Sequence, residues 1–380
     1  MASAEPMDPA LERLVVNPAC HNIPDPNNPG ATLFGVWNDA GRDDDARPPQ
    51  NWPPPGTAMG GSAACAPDNA SFKKLMSQYA FAFAPTAMHS ARTTGYGGFH
   101  LSLQADYTGI SNGAQYWKLG TQGPTDASNN QSSSMNAAPP GLLQLYSLKF
   151  RKSFGFGLEL TGLVGFMPKT SIISGGADVR MSLLEGFRTG VGGILPDVAI
   201  GGGVRTITGT PQFQMTVAGL DAQVSKPLPI QDAQVLTPYV GYQYLWIFAD
   251  SGLIDMTPGT DALRYCNYAG QNVPGNTDAD APVPNDGQPV CNGGSPLDFN
   301  NNTVFQNARL ERHRLILGVN YRYEMVMLGG QFLFDAVPPA DAQNDDGPCT
   351  RVGSECLTDS QVLKDEARQF TLSFELGAMF

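Results

Sequence analysis

The feature that most constrains this chain is a two-residue alternation of apolar and polar side chains. Over residues 370–380 an apolar side chain occupies every second position: Phe370, Leu372, Phe374, Leu376, Ala378 and Phe380. Successive side chains of a β-strand point to opposite faces, so this segment is predicted to be a strand with one apolar face. Such a face needs a second protein layer or lipid to cover it.

The same alternation recurs from about residue 95 onward. It is present in the segments 99–107, 146–150, 156–166, 177–183, 198–204, 212–225, 238–248, 315–323 and 326–334. Within 212–225 the phase slips near Gly219, which predicts a β-bulge. With the C-terminal strand the total is ten. Twelve is the alternative, if residues around 78–84 or parts of the long loops also pair.

Composition limits what these strands can build. Charged residues make up 15% of the chain, below the roughly 25% of soluble domains. No stretch approaches the roughly 18 consecutive apolar residues of a membrane-spanning helix. A net charge of -12 and a pI near 4.7 argue against a nucleic-acid partner, because phosphate binding needs a basic face.

The aromatic last residue, Phe380, follows apolar residues at alternate positions, and this pattern resembles the C-terminal targeting strand of Gram-negative outer-membrane β-barrels. The resemblance covers residues 370–380. It implies an all-β transmembrane antiparallel barrel in the outer membrane, with apolar side chains toward lipid and polar or small ones toward the lumen. It also implies contact with outer-membrane lipid and with the barrel assembly machinery, and both chain ends in the periplasm.

Connection lengths give an independent test of that expectation. Outer-membrane barrels alternate short periplasmic turns with longer external loops. The predicted inner joins are the short segments 153–155, 187–195, 226–234 and 323–325, and the predicted outer joins include the long segments 109–140, 253–304 and 337–364. The remaining outer joins, 168–174 and 207–211, are brief. A soluble all-β protein, the alternative fold, would not explain this alternation.

The N-terminal part, residues 1–94, differs from the barrel at 95–380. Residues 1–70 are rich in Pro, Gly, Asn and Asp, whereas a helix is predicted near 71–84 with Asn69 or Ser71 as its cap. A strand over 79–83 is the rival interpretation. The segment is expected to lie in the periplasm or to fold back as a plug. Small residues at positions 2–4 fit a cleavage site, so we expect a mature chain whose leader has been removed.

Six cysteines fall in three local groups, and none has the spacing of a zinc site. The economical pairing among fifteen connectivities joins Cys20 to Cys65, Cys266 to Cys291 and Cys349 to Cys356. We predict three intramolecular disulfides, two of them in external loops.

The lumen-facing parity collects charged side chains with an excess of arginine. The set is Lys149, Arg151, Arg180, Arg205, Arg312, Arg314 and Arg322, with Asp106, Glu159, Asp178, Asp335 and Glu375. One interpretation is a paired ionic network that closes a narrow lumen, since unpaired buried charges are costly. The other is a polar path that favours anionic or zwitterionic solutes.

Candidate catalytic groupings are weak. His100 and Ser102 with Asn112 superficially resemble the His, Ser and Asn of outer-membrane phospholipases, but His100 is expected in the periplasmic half of its strand. His313 and Glu311, the grouping at the outer rim, both point outward by parity. Acidic residues in the loop 253–304 and at 344–346 could hold Ca²⁺, but they lack EF-hand spacing. No catalytic residue, metal ligand or cofactor is therefore predicted.

The sequence favours transport as the function: a porin-like barrel or transporter that passes or binds small solutes. The alternative is a closed structural barrel whose disulfide-bonded loops form a surface for interactions. A lipid hydrolase ranks third.

Overall fold

The computed structural model describes most of the chain outside the N-terminal segment and the longest connection. The described residues are 5–16, 67–124, 135–185, 195–231, 233–255, 302–345, 347–353 and 355–380, and for Pro24–Asp25, Asn28–Thr32, Cys266–Tyr268 and Pro289–Cys291 the backbone only.

Ten antiparallel strands close into a barrel, which confirms the predicted fold and strand number. They are β1 Phe99–Gly109, β2 Leu142–Ser153, β3 Leu158–Phe166, β4 Ile173–Leu184, β5 Asp197–Thr208, β6 Phe213–Ser225, β7 Gln234–Ser251, β8 Ala308–Tyr323, β9 Val326–Asp335 and β10 Phe370–Met379. The C-terminal strand β10 pairs with β1, from Thr371 opposite Thr108 to Met379 opposite His100. Closure leaves none of these ten strands with an unpaired edge.

The outer surface of the barrel is apolar. On β1 and β10, Leu103 is 63% exposed and Phe374 is 50% exposed, whereas the adjacent Ser102 and Glu375 are 2% and 3% exposed. An apolar belt of this extent, wrapped around a closed barrel, is stable in lipid rather than in water. The belt makes this a transmembrane barrel.

Strand β6 contains no bulge, so the bulge predicted near Gly219 is wrong. Its register with both neighbours is continuous, and its parity does not change. Phe213, Met215 and Val217 face the lumen and are buried, whereas Leu220 faces outward. Along β6 the apolar side chains face the lumen in the upper part of the strand and lipid in the lower part, because the upper part of the lumen is itself apolar.

The turn between β2 and β3 is longer than predicted. Phe156 lies in the one-turn 3-10 helix Gly155–Gly157, with a φ of 62°, so the strand begins at Leu158. Its side chain is almost fully exposed beyond the end of the barrel.

The three longest connections all lie at one end of the barrel, as predicted, together with two brief ones. The short connections 154–157, 185–196, 226–233 and 324–325 form the lower end, and the connections 110–141, 167–172, 209–212, 252–307 and 336–369 form the upper end. Phe380 lies at the lower end, where it exchanges backbone hydrogen bonds with Phe99.

The described N-terminal residues lie at the upper end, opposite Phe380. The amide of Met7 donates to the carbonyl of Lys169, and the amide of Leu11 donates to the side chain of Gln212, both in upper connections. The prediction that both chain ends share one side of the membrane is therefore wrong for residues 5–16. The chain enters the barrel from above and descends through the lumen before β1 begins.

Helix α1 spans Asn69–Phe83, and its N-cap is Asp68 rather than Asn69 or Ser71. The Asp68 carboxylate accepts hydrogen bonds from the amide and the hydroxyl of Ser71, at 3.0 and 2.7 Å. The helix ends before Pro85, which disfavours helical backbone at Ala84. Two short helices follow in upper connections, α2 at Gln115–Leu119 and α3 at Asp359–Leu363. No helix among the described residues is long and apolar enough to cross a membrane.

One predicted disulfide, Cys349–Cys356, is confirmed. It closes an upper hairpin formed by Thr350–Val352 and Glu355–Leu357. Backbone pairing places Cys266 directly opposite Cys291, and their disulfide stays a prediction. Cys20 and Cys65 lie outside the described residues.

Candidate functional site in the barrel lumen

Residues 67–94, which we call the lumenal segment, pass through the barrel from the upper to the lower end. Helix α1 fills the upper half, and the extended residues 84–94 fill the lower half. The wall also differs between the two halves: it is apolar around α1 and polar around the extended residues.

The upper wall forms one hydrophobic core with α1. Its buried side chains are Leu143, Leu145, Ile207, Phe213, Met215, Val217, Leu245, Ile247, Ala249, Ala308 and Leu310. The helix contributes Phe72, Leu75, Met76, Tyr79 and Phe83. Full burial of one large apolar side chain contributes about 1.5–3 kcal/mol, so this contact is a major source of stability.

Polar contacts fix the upper part of α1. Gln78 accepts a hydrogen bond from the indole of Trp117 at 2.7 Å and donates to the hydroxyl of Tyr116 at 2.7 Å. Lys73 forms an ion pair with Asp359 at 2.5 Å. Through these contacts the helix is bound to α2 and α3 in the upper connections.

Two arginines of β8 hold the lower end of α1. Arg312 pairs with Asp335 and donates to the hydroxyl of Ser77 at 2.8 Å. Arg314 donates to the carbonyl oxygens of Phe81 and Pro85. The C-terminus of a helix has free carbonyl groups and a partial negative charge, so a guanidinium is a favourable partner there. Both guanidinium groups also lie over the Phe81 ring, at 4.9 and 5.0 Å from its centroid.

Wall side chains also bind the backbone of the extended part. Gln331 donates to the carbonyl of Thr86, and Gln223 donates to that of Ala87 at 3.0 Å. Arg180 donates to the carbonyls of His89 and Ser90, at 3.2 and 3.3 Å. The amides of Ser90 and Ala91 donate to Asn320 and Ser225, respectively. The wall thus supplies the partners that a buried, non-regular backbone needs.

The lowest part of the lumen holds a branched ionic cluster centred on two glutamates. Glu159 lies 3.5 Å from Arg151 and 3.3 Å from His89. Glu375 lies 3.5 Å from Lys149 and 3.9 Å from Arg151. The hydroxyl of Ser102 donates to Glu375 at 2.5 Å.

The acidic side chains that line the lumen slightly outnumber the basic ones. Within the described wall, six basic side chains face seven acidic ones: Lys149, Arg151, Arg180, Arg205, Arg312 and Arg314, against Asp106, Glu159, Asp178, Asp197, Asp221, Asp335 and Glu375. Arg180 pairs with Asp221, and Arg205 pairs with Asp178. The predicted basic excess is therefore wrong, because the predicted set omitted Asp197 and Asp221 and included Arg322, which is exposed at the lower turn.

Several buried polar atoms of the lower wall have no hydrogen-bond partner. They belong to His100, Gln104, Arg151, Asn320, Ser373 and Glu375. A nearby cavity, lined by Lys149, Arg180 and His89, is close to the minimum size for one water molecule. The lumenal segment and the side chains that contact it occupy the described lumen.

The catalytic groupings considered from the sequence are not assembled. Ser102 donates to Glu375 rather than to His100, and Asn112 donates to the Pro139 carbonyl in an upper connection. His313 and Glu311 lie on the outer face of β8, as parity predicts. Among the described residues no group of acidic, histidine or cysteine side chains is arranged to hold a metal. The acidic side chains of the loop 253–304 lie outside the described residues, and Asp345 accepts from Ser360.

Sequence reasoning missed the apolar upper wall and the amide side chains that bind the lumenal segment. A signal for the wall is present at 245–249, where Leu245, Trp246, Ile247, Phe248 and Ala249 are all apolar. A strand with lipid on one face and water on the other would alternate, so consecutive apolar residues indicate that both faces are covered. The amides at 223, 243 and 331 have no comparable signal.

At the upper rim, Glu366 is buried near Ser77 and Gln78 of α1 and Tyr116 of α2. Burial raises the pKa of its carboxyl group, and the positive charge of Arg312 opposes this effect. This group is a candidate for a pH-dependent contribution to stability.

Neither a family model nor a curated protein matches the chain. Among solved structures, Ail of Yersinia pestis bound to the heparin analogue sucrose octasulfate is 8% identical, covers 75% of this chain and 100% of its own, and has a TM-score of 0.23. CdiB of Acinetobacter baumannii is 9% identical over 74% of this chain and 60% of its own, with a TM-score of 0.18. A mutant of the TodX monoaromatic hydrocarbon channel is 7% identical over 75% and 90%, with a TM-score of 0.16. Because all three TM-scores are low, no property of these proteins is transferred to this chain.

Proposed function

We propose that this protein is an outer-membrane β-barrel with a closed lumen, which anchors a folded cap at the cell surface for interactions there. An even number of antiparallel strands from one chain and an apolar belt support the outer membrane as its location. The lower end, with its short turns and Phe380, then faces the periplasm. Phe380 is the proposed signal for the barrel assembly machinery.

The observation that carries this proposal is the filled lumen. Hydrophobic packing holds the upper half of the lumenal segment, and six described hydrogen bonds with wall side chains hold the backbone between Thr86 and Ala91. Each such bond contributes about 0.5–1.5 kcal/mol, and each buried group left without a partner costs about 1–3 kcal/mol. Withdrawal of the lumenal segment from the barrel would therefore have a high free-energy cost. A porin-like open pore does not fit the described lumen.

The cap is built from residues 5–16 and the upper connections. The amide of Ala10 donates to the Gly120 carbonyl at 2.9 Å, and Arg13 donates to the Thr121 carbonyl at 3.1 Å. Met7 and Leu11 belong to the same hydrophobic core as α1. The barrel and the cap thus form one packed body, which is suited to presenting a fixed surface.

Planar-bilayer recording of the refolded protein tests closure directly. We expect no conductance steps, because the lumenal segment occupies the described lumen. Steady ohmic conductance in wild-type protein would refute the closed-barrel proposal. Limited proteolysis of intact cells within 347–357 tests the orientation, and cleavage there is expected only if the upper end faces outward.

Gated solute passage is a second candidate, favoured by the unpartnered polar atoms of the lower lumen. Movement of the lumenal segment would open this zone. A Cys pair replacing Ala91 and Ser225, whose amide and hydroxyl lie 3.1 Å apart, would lock the segment. Solute-dependent swelling of liposomes that is lost on oxidation and restored on reduction would support gating. No swelling in either state would exclude it for the solutes tried.

A further inference from the structure

The outer surface of β7 and β8 carries an aromatic patch near the upper end. We define it as Tyr242, Tyr244 and Trp246 of β7 with Glu311 and His313 of β8. The register places Tyr244 opposite His313 and Trp246 opposite Glu311. The proposed function makes no use of this patch.

The patch lies where the apolar belt ends. Along the outer face of β8, Leu317 and Leu315 are followed by His313, Glu311 and Arg309. Strands β7 and β8 contain 18 and 16 residues, whereas a strand needs about 9–11 residues to cross the hydrocarbon region. Their upper parts therefore extend beyond it. This places the patch at the level of the lipid headgroups.

Ring contacts fix the shape of the patch. Tyr244 meets Trp246 edge-to-face, with 4.5 Å between ring centroids, and meets His313 in the same way at 4.8 Å. A hydrogen bond joins the Tyr242 hydroxyl to Nδ1 of His313. The rings thus form a rigid aromatic wall beside the Glu311 carboxylate.

The Glu311 carboxylate has no cationic partner among the described residues. The nearest arginine on the outer face of β8, Arg309, pairs instead with Asp250 at 2.7 Å. The register places Glu311 directly opposite Trp246 and diagonally opposite Tyr244. The Gln343 side chain bonds to the backbone of Glu311 at 2.6 and 3.3 Å, and so fixes its position. A half-buried carboxylate beside tyrosine and tryptophan rings presents the charge and π faces that bind an ammonium group.

We propose that this patch binds the ammonium group of a lipid headgroup in the adjacent leaflet. The Glu311 carboxylate forms the ion pair, and the Tyr244 and Trp246 rings add cation–π attraction. The occupant is a lipid because the patch is continuous with the lipid-facing belt. A headgroup with both a phosphate and an ammonium fits best, because a purely anionic lipid would be repelled by Glu311.

Native mass spectrometry of the protein released from nanodiscs tests this site. The discs contain equal amounts of phosphatidylcholine, which carries an ammonium, and phosphatidylglycerol, which does not. We expect wild-type protein to retain phosphatidylcholine preferentially. Glu311→Gln should reduce that preference by about tenfold, the effect of about 1.4 kcal/mol. Glu355→Gln, which removes an exposed carboxylate from the upper hairpin, is the matched control and should leave the preference unchanged.

A second variant, Trp246→Leu, keeps the site testable if Glu311→Gln does not fold. It preserves the charge and removes the π face, and should also lower the preference. Equal retention of both lipids by the wild type, or a preference that the folded variants leave unchanged, overturns the proposal. A preference for phosphatidylglycerol also overturns it.

Discussion

Arg312 and Asp335 form a fully buried ion pair between β8 and β9, with 2.5 Å between Nη2 and Oδ2 and 1% of each side chain exposed. Arg312 also binds Ser77 of α1 and Gln369 before β10. One pair thus joins the wall, the lumenal segment and the closing strand.

Asp335→Asn should destabilise the barrel by about 3–5 kcal/mol, because it leaves the Arg312 guanidinium buried without its counter-charge. The double variant Arg312→Met/Asp335→Leu should cost less than the sum of the two single changes. Urea unfolding in lipid vesicles, followed by tryptophan fluorescence, measures this double-mutant cycle. Additive effects would show that the pair does not act as a unit.

Leu245→Ala should cost about 2–5 kcal/mol, because Leu245 is completely buried against the core that α1 completes. Leu220→Ala, on the lipid face of the neighbouring strand β6, is the matched control and should cost clearly less, because lipid chains can fill the space. The same unfolding assay compares the two. Equal costs would contradict a filled upper lumen.

Asp68→Ala removes the cap of α1 and should destabilise the protein by about 0.5–2 kcal/mol. Asp68→Asn retains an acceptor oxygen and should recover most of that loss. Thermal melting followed by circular dichroism provides the measurement. If Asn and Ala prove equally destabilising, the contribution of Asp68 is not helix capping.

Glu366 should make stability depend on pH. Its pKa is raised in the folded state, so its favourable contribution is fully present below the unfolded pKa of about 4.5 and is lost as pH rises through the folded pKa. Relative to wild type, Glu366→Gln should therefore gain stability as pH rises from about 4 to about 8. Unfolding of both proteins across this range is the test. A difference that does not vary with pH would contradict the assignment.

Thiol labelling of the unfolded, unreduced protein should detect no free cysteine. The result covers the observed Cys349–Cys356 bridge and the two pairs that stay predictions, Cys266 with Cys291 and Cys20 with Cys65. Peptide mapping assigns the connectivity. Label on Cys266 or Cys291 would show that their opposed backbone positions are not bridged.

The ten strands and the positions of the longest connections could be predicted from the sequence. The reason is that lipid requires an apolar side chain at every second position of every strand. Each outward residue meets the same solvent, so the period-two pattern in segments such as 99–107 is local information. The same holds for charge placement, since parity alone brings Lys149, Arg151 and Glu375 to the lumen.

The contents of the lumen were not readable in this way. In the sequence, Phe213, Met215 and Val217 cannot be distinguished from lipid-facing residues. In the structure they pack in one core with α1. Assigning them to the lipid face led to the wrong prediction of a bulge near Gly219. The hydrogen-bond partners of Asp221 and Gln223 lie 41 to 136 positions away in the sequence, so the roles of these two residues could not be predicted from it.

The sequence by itself therefore determined the barrel, its lipid-facing surface and which end carries the longest connections, and it favoured ten strands over twelve. Only the tertiary structure decided that the lumen is filled, that it has no excess of basic side chains and that residues 5–16 lie opposite Phe380. The physical reason is the range of the interactions. Lipid acts on each strand separately, whereas the lumen is filled by contacts between residues far apart in the chain, and no local period encodes them.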